Sequence, residues 1–227
     1  LKPPLVIDKA PEPPSACDLC PRLADFLAAT RVREPGWHNA PVPSFGPLDA
    51  RLLIVGLAPG LTGANRTGRP FTGDHAGELL YATLLKFGLA TGQYAASPHD
   101  GLTLVDCMIT NAVRCVPPQN KPLPAEIRSC GGFLTARIAS LPRLAAIVAL
   151  GRIAHDSTLN ALAVRKRDYP FAHGARHQLS GARHDLAGDR LALFDSYHCS
   201  RYNTNTGVLT PAMFEAVFAA ARDYIKT

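Results

Sequence analysis

The sequence predicts an α/β fold of three layers, with a central four-stranded parallel sheet between helices. Apolar runs of strand length alternate with helical patterns from residue 51 onward, which is how strand–helix units of such sheets read. The first strand enters a stretch from Gly56 to Gly77 that holds six glycines and ends where a helix begins. Open α/β sheets bind ligands at such loops, beyond the carboxyl ends of their strands. The last segment, 211–225, is the best marked helix. Thr210 stands at its cap, Pro211 in its first turn, and Met213, Phe214, Val217, Phe218, Ala221 and Ile225 form one apolar stripe.

Along the chain, residues 1–50 hold ten of the twenty prolines and little periodicity beyond a short helical pattern from Leu23 to Ala29. This arm cannot build a core alone and needs a staple. The expected strands are 52–56, 103–110, 145–150 and 191–196, and the expected helices are 77–88, 124–140, 152–163 and 211–225. With 227 residues, 47% of them hydrophobic, the chain suffices for one substantial core, a single domain over 1–227 that carries the arm. No apolar run approaches the roughly 18 residues of a membrane helix, and residues 1–9 lack the apolar stretch of a secretory leader. The expected compartment is the cytoplasm.

The formal charge is +6, an excess that favours polyanionic partners without identifying one. Six cysteines in a reducing compartment argue against a disulfide framework, and their spacing argues for metal. Cys17 and Cys20 form a C-x2-C pair; Cys115 and Cys130 follow far downstream, fifteen residues apart. Cys107 lies in an apolar run and reads as a core residue, and Cys199 reads as a free thiol.

Three loops leave the carboxyl ends of the expected strands. The first, 56–77, combines bare backbone with Arg66, Arg69 and a single carboxylate, Asp74; a loop of that length is mostly functional or disordered. The second, 111–123, holds Cys115 and the amides of Asn111 and Asn120, whose adjacent donor and acceptor match a pyrimidine edge. Each asparagine alone also suits a turn. The third, 197–209, holds His198 and Ser200; an imidazole there is able to donate to a developing oxyanion.

Together, GLAPG-x-x-G-A-N-R-T-G-R-P-F-T-G-D, N-A-V-R-C-x-P-P-x-N-K-P and S-Y-H-x-S-R-x-N-T-x-T-G resemble the type B, or family 5, uracil-DNA glycosylases, which carry an iron–sulphur cluster. The resemblance runs from Cys17 to the last helix. It implies the uracil-DNA glycosylase fold and a 4Fe–4S cluster on Cys17, Cys20, Cys115 and Cys130, with four thiolates as ligands. Counting about −4 for the thiolates and +2 for the cluster lowers +6 to about +4, so the chain stays cationic.

The resemblance further implies that uracil is flipped out of DNA into a pocket. Gly56, Leu57, Ala58, Gly60 and Gly73 belong to the loop that floors it, with Phe71 stacking on the base, although Phe71 also reads as an ordinary core residue. Asn111 matches a position that reads the pyrimidine edge in the related type A enzymes. His198 matches the histidine that steadies the departing uracil anion at O2, and Ser200 stands beside it. Arg201, Tyr202 and Asn203 lie where the superfamily inserts residues into the duplex, and Arg66 and Arg69 complete the expected DNA contacts.

Leu57 departs from the Asp, Asn or Glu that other uracil-DNA glycosylases place there, and type B enzymes share an apolar residue. The catalytic duty therefore falls to Asp74, which offsets positive charge on the sugar or positions water, with Asn120 helping to place the water or the sugar. Asp74 equally reads as the cap of the following helix, and the two roles are compatible.

The expected activity is monofunctional: N-glycosidic hydrolysis that leaves an abasic site, with hypoxanthine or other altered bases as further substrates. Expected partners are single- and double-stranded DNA in the prokaryotic nucleoid and enzymes that process abasic sites, with the chain acting as a monomer. Two alternatives remain from the residues alone: a non-catalytic nucleic-acid-binding module with a four-cysteine zinc or iron–sulphur site, and a redox protein.

Overall fold

The computed structural model describes residues 11–179 and 191–226. The leaderless reading of residues 1–9 lies outside them. The elements in order are helix α1 (Pro21–Arg33), strand β1 (Leu52–Gly56), helices α2 (Ala64–Thr67) and α3 (His75–Lys86), strands β2 (Ala90–Thr91), β3 (Thr103–Leu104) and β4 (Cys107–Asn111), helix α4 (Pro124–Ala139), strand β5 (Ala146–Leu150), helix α5 (Arg152–Ala161), strands β6 (Arg176–Gln178) and β7 (Ala192–Ser196), and helices α6 (Arg201–Asn205) and α7 (Pro211–Lys226).

The central sheet runs β4-β1-β5-β7-β6. Its first four strands are parallel, in a register that sets Gly56 beside Asn111 and Leu150 beside Ser196. The expected four-stranded sheet thus gains a fifth, antiparallel edge strand, β6, with Arg176 opposite Phe194. Its residues Arg-His-Gln carry no apolar run, so nothing in the pattern announces it. A second difference splits the expected strand 103–110: Asp106 turns to φ +56°, a conformation Asp tolerates better than most residues. Its carboxylate takes the amide of Arg51 at 3.2 Å and its Nε at 2.7 Å.

The four parallel strands are buried throughout, which is why each reads as an unbroken apolar run. Side chains of alternate residues feed two cores. Leu52, Ile54, Ile109, Val148 and Phe194 pack beneath α3 and α7, while Leu53, Val55, Met108, Ile147 and Leu193 pack beneath α4 and α5. Cys107 is fully buried in the first core, as its apolar setting predicts.

The proline-rich arm is tied down by charge. Glu12 pairs with Arg114 and Arg137 and accepts the amide of Ser44. Arg114 is buried and also donates to the Val42 carbonyl at 2.9 Å and to Thr110 Oγ1 at 2.6 Å. No helix among the described residues is long and apolar enough to cross a membrane.

Candidate active site

The loops after β1, β4 and β7 meet at the carboxyl edge of the sheet around a pocket of about 500 Å³, within the roughly 300–1,000 Å³ of small-molecule sites. The first loop contributes Leu57, Ala58, Gly60, Phe71, Asp74 and His75; the second contributes Asn111 and Asn120; the third contributes His198, Ser200 and Arg201. Nearly all the residues expected to meet the base or the sugar do share one cavity.

Asp74 sits at the N-cap of α3, where its Oδ1 accepts the Gly77 amide at 3.1 Å. Its other oxygen faces the backbone of the first loop: a Cβ on Gly63 would stand 2.6 Å from Asp74 Oδ2, so only glycine admits the carboxylate there. Burial pushes the Asp74 carboxyl above its ordinary range, opposed by the backbone N–H groups of Gly77 and Ala76. Asp74 is therefore both a cap and a poorly solvated charge facing the cavity.

Gly56, at the end of β1, lies under the pocket rather than in its wall. A Cβ there would fall 2.3 Å from Asn111 Oδ1 and 2.6 Å from Phe71 Cζ, so its bareness lets the aromatic ring and the amide come together. Phe71 is buried at φ +54°. Asn111 is buried, and its Oδ1 has no hydrogen-bond partner. A buried acceptor without a partner among the described residues is costly unless a ligand satisfies it, and Asn111 is one of the residues that line the cavity. Asn120 lies exposed at the rim with φ +57°.

His198 is half-buried, and desolvation lowers its pKa to about 4. The imidazole is neutral at physiological pH, able to donate one N–H without being an acid. The His198 carbonyl accepts the Asn203 amide at 2.8 Å, and Ser200 caps α6 through the Asn203 N–H at 3.4 Å. Behind this loop, Asp195 is held by His155 Nδ1 at 2.8 Å and His177 Nε2 at 3.1 Å. Neither histidine stood out in the sequence, because their partner lies 40 and 18 residues further along the chain.

Two further expected contacts are corrected. Arg69 does not face DNA: it is 5% exposed, pairs both terminal nitrogens with Asp100 at 2.8 and 2.7 Å, and gives its Nε to Thr72. Phe45, Tyr81 and Tyr94 surround it. Gly73 is outside the pocket wall, at φ +87°, with its amide donating to Tyr94 Oη at 3.4 Å. Asn203, half-buried on α6, gives one side-chain N–H to the His198 carbonyl. Arg66 is exposed on the far side of α2, in a separate groove beside Trp37 and His99, whereas Tyr202 is 74% exposed next to Arg201 at the pocket mouth.

Cys17, Cys20, Cys115 and Cys130 line a single recess with Leu23 and Phe133. Burial, and then the neighbouring sulphurs of Cys130, Cys17 and Cys20, push the Cys115 thiol up to about 12. Burial pushes Cys130 up to about 11, although its Sγ accepts the Arg114 amide at 3.3 Å. Among the described residues, the one set of three ligand-type side chains whose atoms lie within 4.8 Å of one another is His155, His177 and Asp195, already joined by hydrogen bonds. Cys199 is fully buried beside His198.

A family model described as "Uracil DNA glycosylase superfamily" matches residues 43–222. The chain is 45% identical over 214 residues to a type-5 uracil-DNA glycosylase of Thermus thermophilus, covering 92% of this chain and 93% of that protein. It is 43% identical over 218 residues to a type-5 uracil-DNA glycosylase of Mycobacterium leprae, with 92% and 91% covered. A type-5 uracil-DNA glycosylase of Pyrobaculum aerophilum is 36% identical over 212 residues, with 91% and 88% covered.

Proposed function

This chain belongs to the type-5 uracil-DNA glycosylases of the uracil DNA glycosylase superfamily, and on that premise we propose that it excises uracil from DNA by hydrolysing the N-glycosidic bond. One observation carries the reading at the level of the site. A neutral imidazole, a buried unpaired amide oxygen, an aromatic face and a desolvated carboxylate converge from three loops on one cavity.

Uracil leaves the stack to reach this cavity, since its glycosidic bond is out of reach inside a duplex. Phe71 supplies the stacking face, and Asn111 Oδ1 accepts the N3–H of the base. As the C1′–N1 bond lengthens, its electron pair moves into the base and negative charge collects at O2. The neutral His198 donates its N–H there, without the reorganisation that water would require. Positive charge on the sugar meets Asp74, whose attraction is strengthened by the low-dielectric surroundings. Asn120, at the rim, holds the sugar. Water then attacks C1′ and leaves an abasic site. Among the described residues no lysine lines the pocket, so a Schiff-base route has no nucleophile there.

We also propose a 4Fe–4S cluster on Cys17, Cys20, Cys115 and Cys130. Four thiols around one recess supply the four thiolates that such a group takes. When bound it supplies a covalent tie between the N-terminal arm, the second loop and α4. Arg201 and Tyr202 meet the duplex beside the flipped base, with Arg66 reaching the flanking backbone. The enzyme works as a monomeric single domain on single- and double-stranded chromosomal DNA in the cytoplasm, handing abasic sites to the enzymes that process them.

The test is release of free uracil from a uracil-containing oligonucleotide, measured beside binding of the same strand. Release with intact binding supports the reading. Binding without release would make the chain a non-catalytic module instead.

A further inference from the structure

We propose that the groove beside α2 is a second DNA subsite, which takes an unpaired nucleotide of the strand that delivers uracil, with the base on Trp37 and the phosphate on Arg66. The proposal rests on the glycosylase reading above and extends it from the flipped base to the strand next to it.

The groove encloses about 510 Å³, and Trp37, His38, Arg66, Thr67, Ser97 and His99 are among the residues that line it. Among the described residues, none in its wall is acidic. Both sides of the groove are fixed to the first loop. On one side the His38 amide donates to the Arg66 carbonyl at 3.0 Å and the Asn39 amide to the Asn65 carbonyl at 3.1 Å. On the other, Asp100 accepts the Ala95 amide at 2.9 Å while it pairs with Arg69.

The same loop lines the base pocket, so the two cavities are neighbours. The four-residue helix α2 contributes Ala64 to the pocket and Arg66 and Thr67 to the groove. A helix is about 10–12 Å across with its side chains, and stacked nucleotides advance about 3.4 Å each along one strand. About three nucleotides therefore lead from one cavity to the other.

A cation for the backbone and an aromatic face for a base are the two parts of a single-strand site. Arg66 gives its Nε to the Thr62 carbonyl at 2.8 Å, and its terminal nitrogens have no partner among the described residues. A guanidinium with those donors unspent matches a phosphate. Trp37 is the single tryptophan of the chain. It is half-buried, and its ring has neither an aromatic nor a cationic neighbour among the described residues. A duplex keeps its bases paired and stacked, so an indole set in a groove meets a base only where the strand is open.

The experiment follows Trp37 fluorescence while the parent chain is titrated with single strands carrying 2′-fluoro-2′-deoxyuridine, which resists cleavage. The modified nucleotide is flanked by one or by six nucleotides on each side. Binding of both strands, and of a duplex, is then measured by anisotropy for Trp37→Ala, Trp37→Phe and Arg66→Ala. The expected result is quenching by the long strand alone. Trp37→Ala should bind that strand about 10-fold more weakly, and Trp37→Phe should stay within threefold of the parent. Arg66→Ala should lower the salt slope of single-strand binding by about 0.7. For Trp37→Ala, binding of the short strand and the duplex, and the single-turnover rate at saturating long strand, should stay within threefold of the parent. No quenching by the long strand, or a Trp37→Ala loss equally large on the short strand or the duplex, would overturn the subsite. Quenching without any excision by the parent would instead defeat the glycosylase reading and leave the subsite standing.

Discussion

The rings of Phe71 and His198 face each other across the pocket, 6.0 Å between centroids and 28° between planes. Two stacking contacts in series need about 7 Å, taking roughly 3.5 Å for each. A flipped base therefore does not slide between the two rings. In the proposed reaction it stacks on Phe71 and turns an edge to the imidazole, the geometry in which a ring N–H meets a carbonyl oxygen. The roles proposed for the two residues follow, His198 as a donor in the plane of the base and Phe71 as its platform.

His198 links this site to acid stability. Its pKa, lowered to about 4 by burial, means that the folded chain binds fewer protons than the unfolded one between pH ~4 and ~6.5. Stability therefore falls as pH drops through that window, by about 2–3 kcal/mol from this residue. His198→Leu should lose less stability than the parent between pH 7 and pH 4.5, as read by urea unfolding at both pH values. It should also excise uracil about 100-fold more slowly at pH 7. Equal acid losses in the two proteins would contradict a neutral buried ring.

Asp74 has the opposite linkage. A carboxyl whose folded pKa is raised favours its protonated form in the folded chain, so stability declines as pH rises from the unfolded value of 3.8 through the folded one. At neutral pH the ionised group strains the fold it caps. Asparagine keeps the capping oxygen and removes the charge. Asp74→Asn should therefore melt at the same temperature or higher, while excision falls about 100-fold or more and binding to uracil DNA persists. A lower melting temperature would mean that the cap, not the charge, dominates the site.

Arg69 tests a structural role against a DNA-binding one. Its bidentate pair with Asp100 is buried, with both side chains at most 5% exposed. Breaking such a pair from one side leaves an uncompensated charge and costs about 3–5 kcal/mol. Arg69→Met should destabilise the fold by that order in denaturant titrations, and at temperatures where it stays folded its DNA affinity should depend on salt as the parent's does. For Arg201→Ala the expectation is reversed: stability is kept, and the salt slope of binding drops by about 0.9.

The contrast between these two arginines marks what the sequence made legible. The parallel strands announced themselves because burial on both faces leaves continuous apolar runs, and the three loops stood out by residues that a turn does not need. The cavity formed by Asp74, Asn111, Asn120 and His198 followed from where those loops leave the sheet. Pairings over distance were not legible. Arg69 looked like any loop cation until Asp100, 31 residues on, neutralised it. Glu12 gave no sign of holding Arg114 and Arg137, more than 100 residues away. Short elements were also silent: α2 and α6 lie inside loops with no room for a helical period, and β6 has no apolar residue to mark it.

The arm offers a test of the proposed cluster. Glu12 binds the arm to the body through Arg114 and Arg137, whereas Cys17 would do so only through the proposed iron. Cys17→Ser should abolish visible absorption and reduce iron below about four per chain, with loss of thermal stability. Glu12→Gln should keep the absorption while destabilising the fold by about 3 kcal/mol or more, because Arg114 and Arg137 lose their shared counter-ion. Iron content and melting temperature, read together on both variants, separate the two ties. A colourless parent chain that binds one zinc would exclude the cluster outright.

Substrate range is expected to follow from the apolar part of the pocket wall. Leu57 and Ala58, with apolar side chains, line the same cavity as Asn111. An apolar wall discriminates weakly between bases of similar shape, whereas a wall with its own hydrogen-bonding group rejects a base that leaves that group unpaired. Asn111 Oδ1 is satisfied by any base with an N–H at the matching edge, which hypoxanthine and uracil both possess. Hypoxanthine should therefore be released with kcat/KM within about 100-fold of that for uracil. Leu57→Asn should widen the gap, because the added amide must find partners that only one base supplies. Strict dependence on uracil in the parent enzyme, with Leu57→Asn no more selective, would show that contacts other than this wall choose the base.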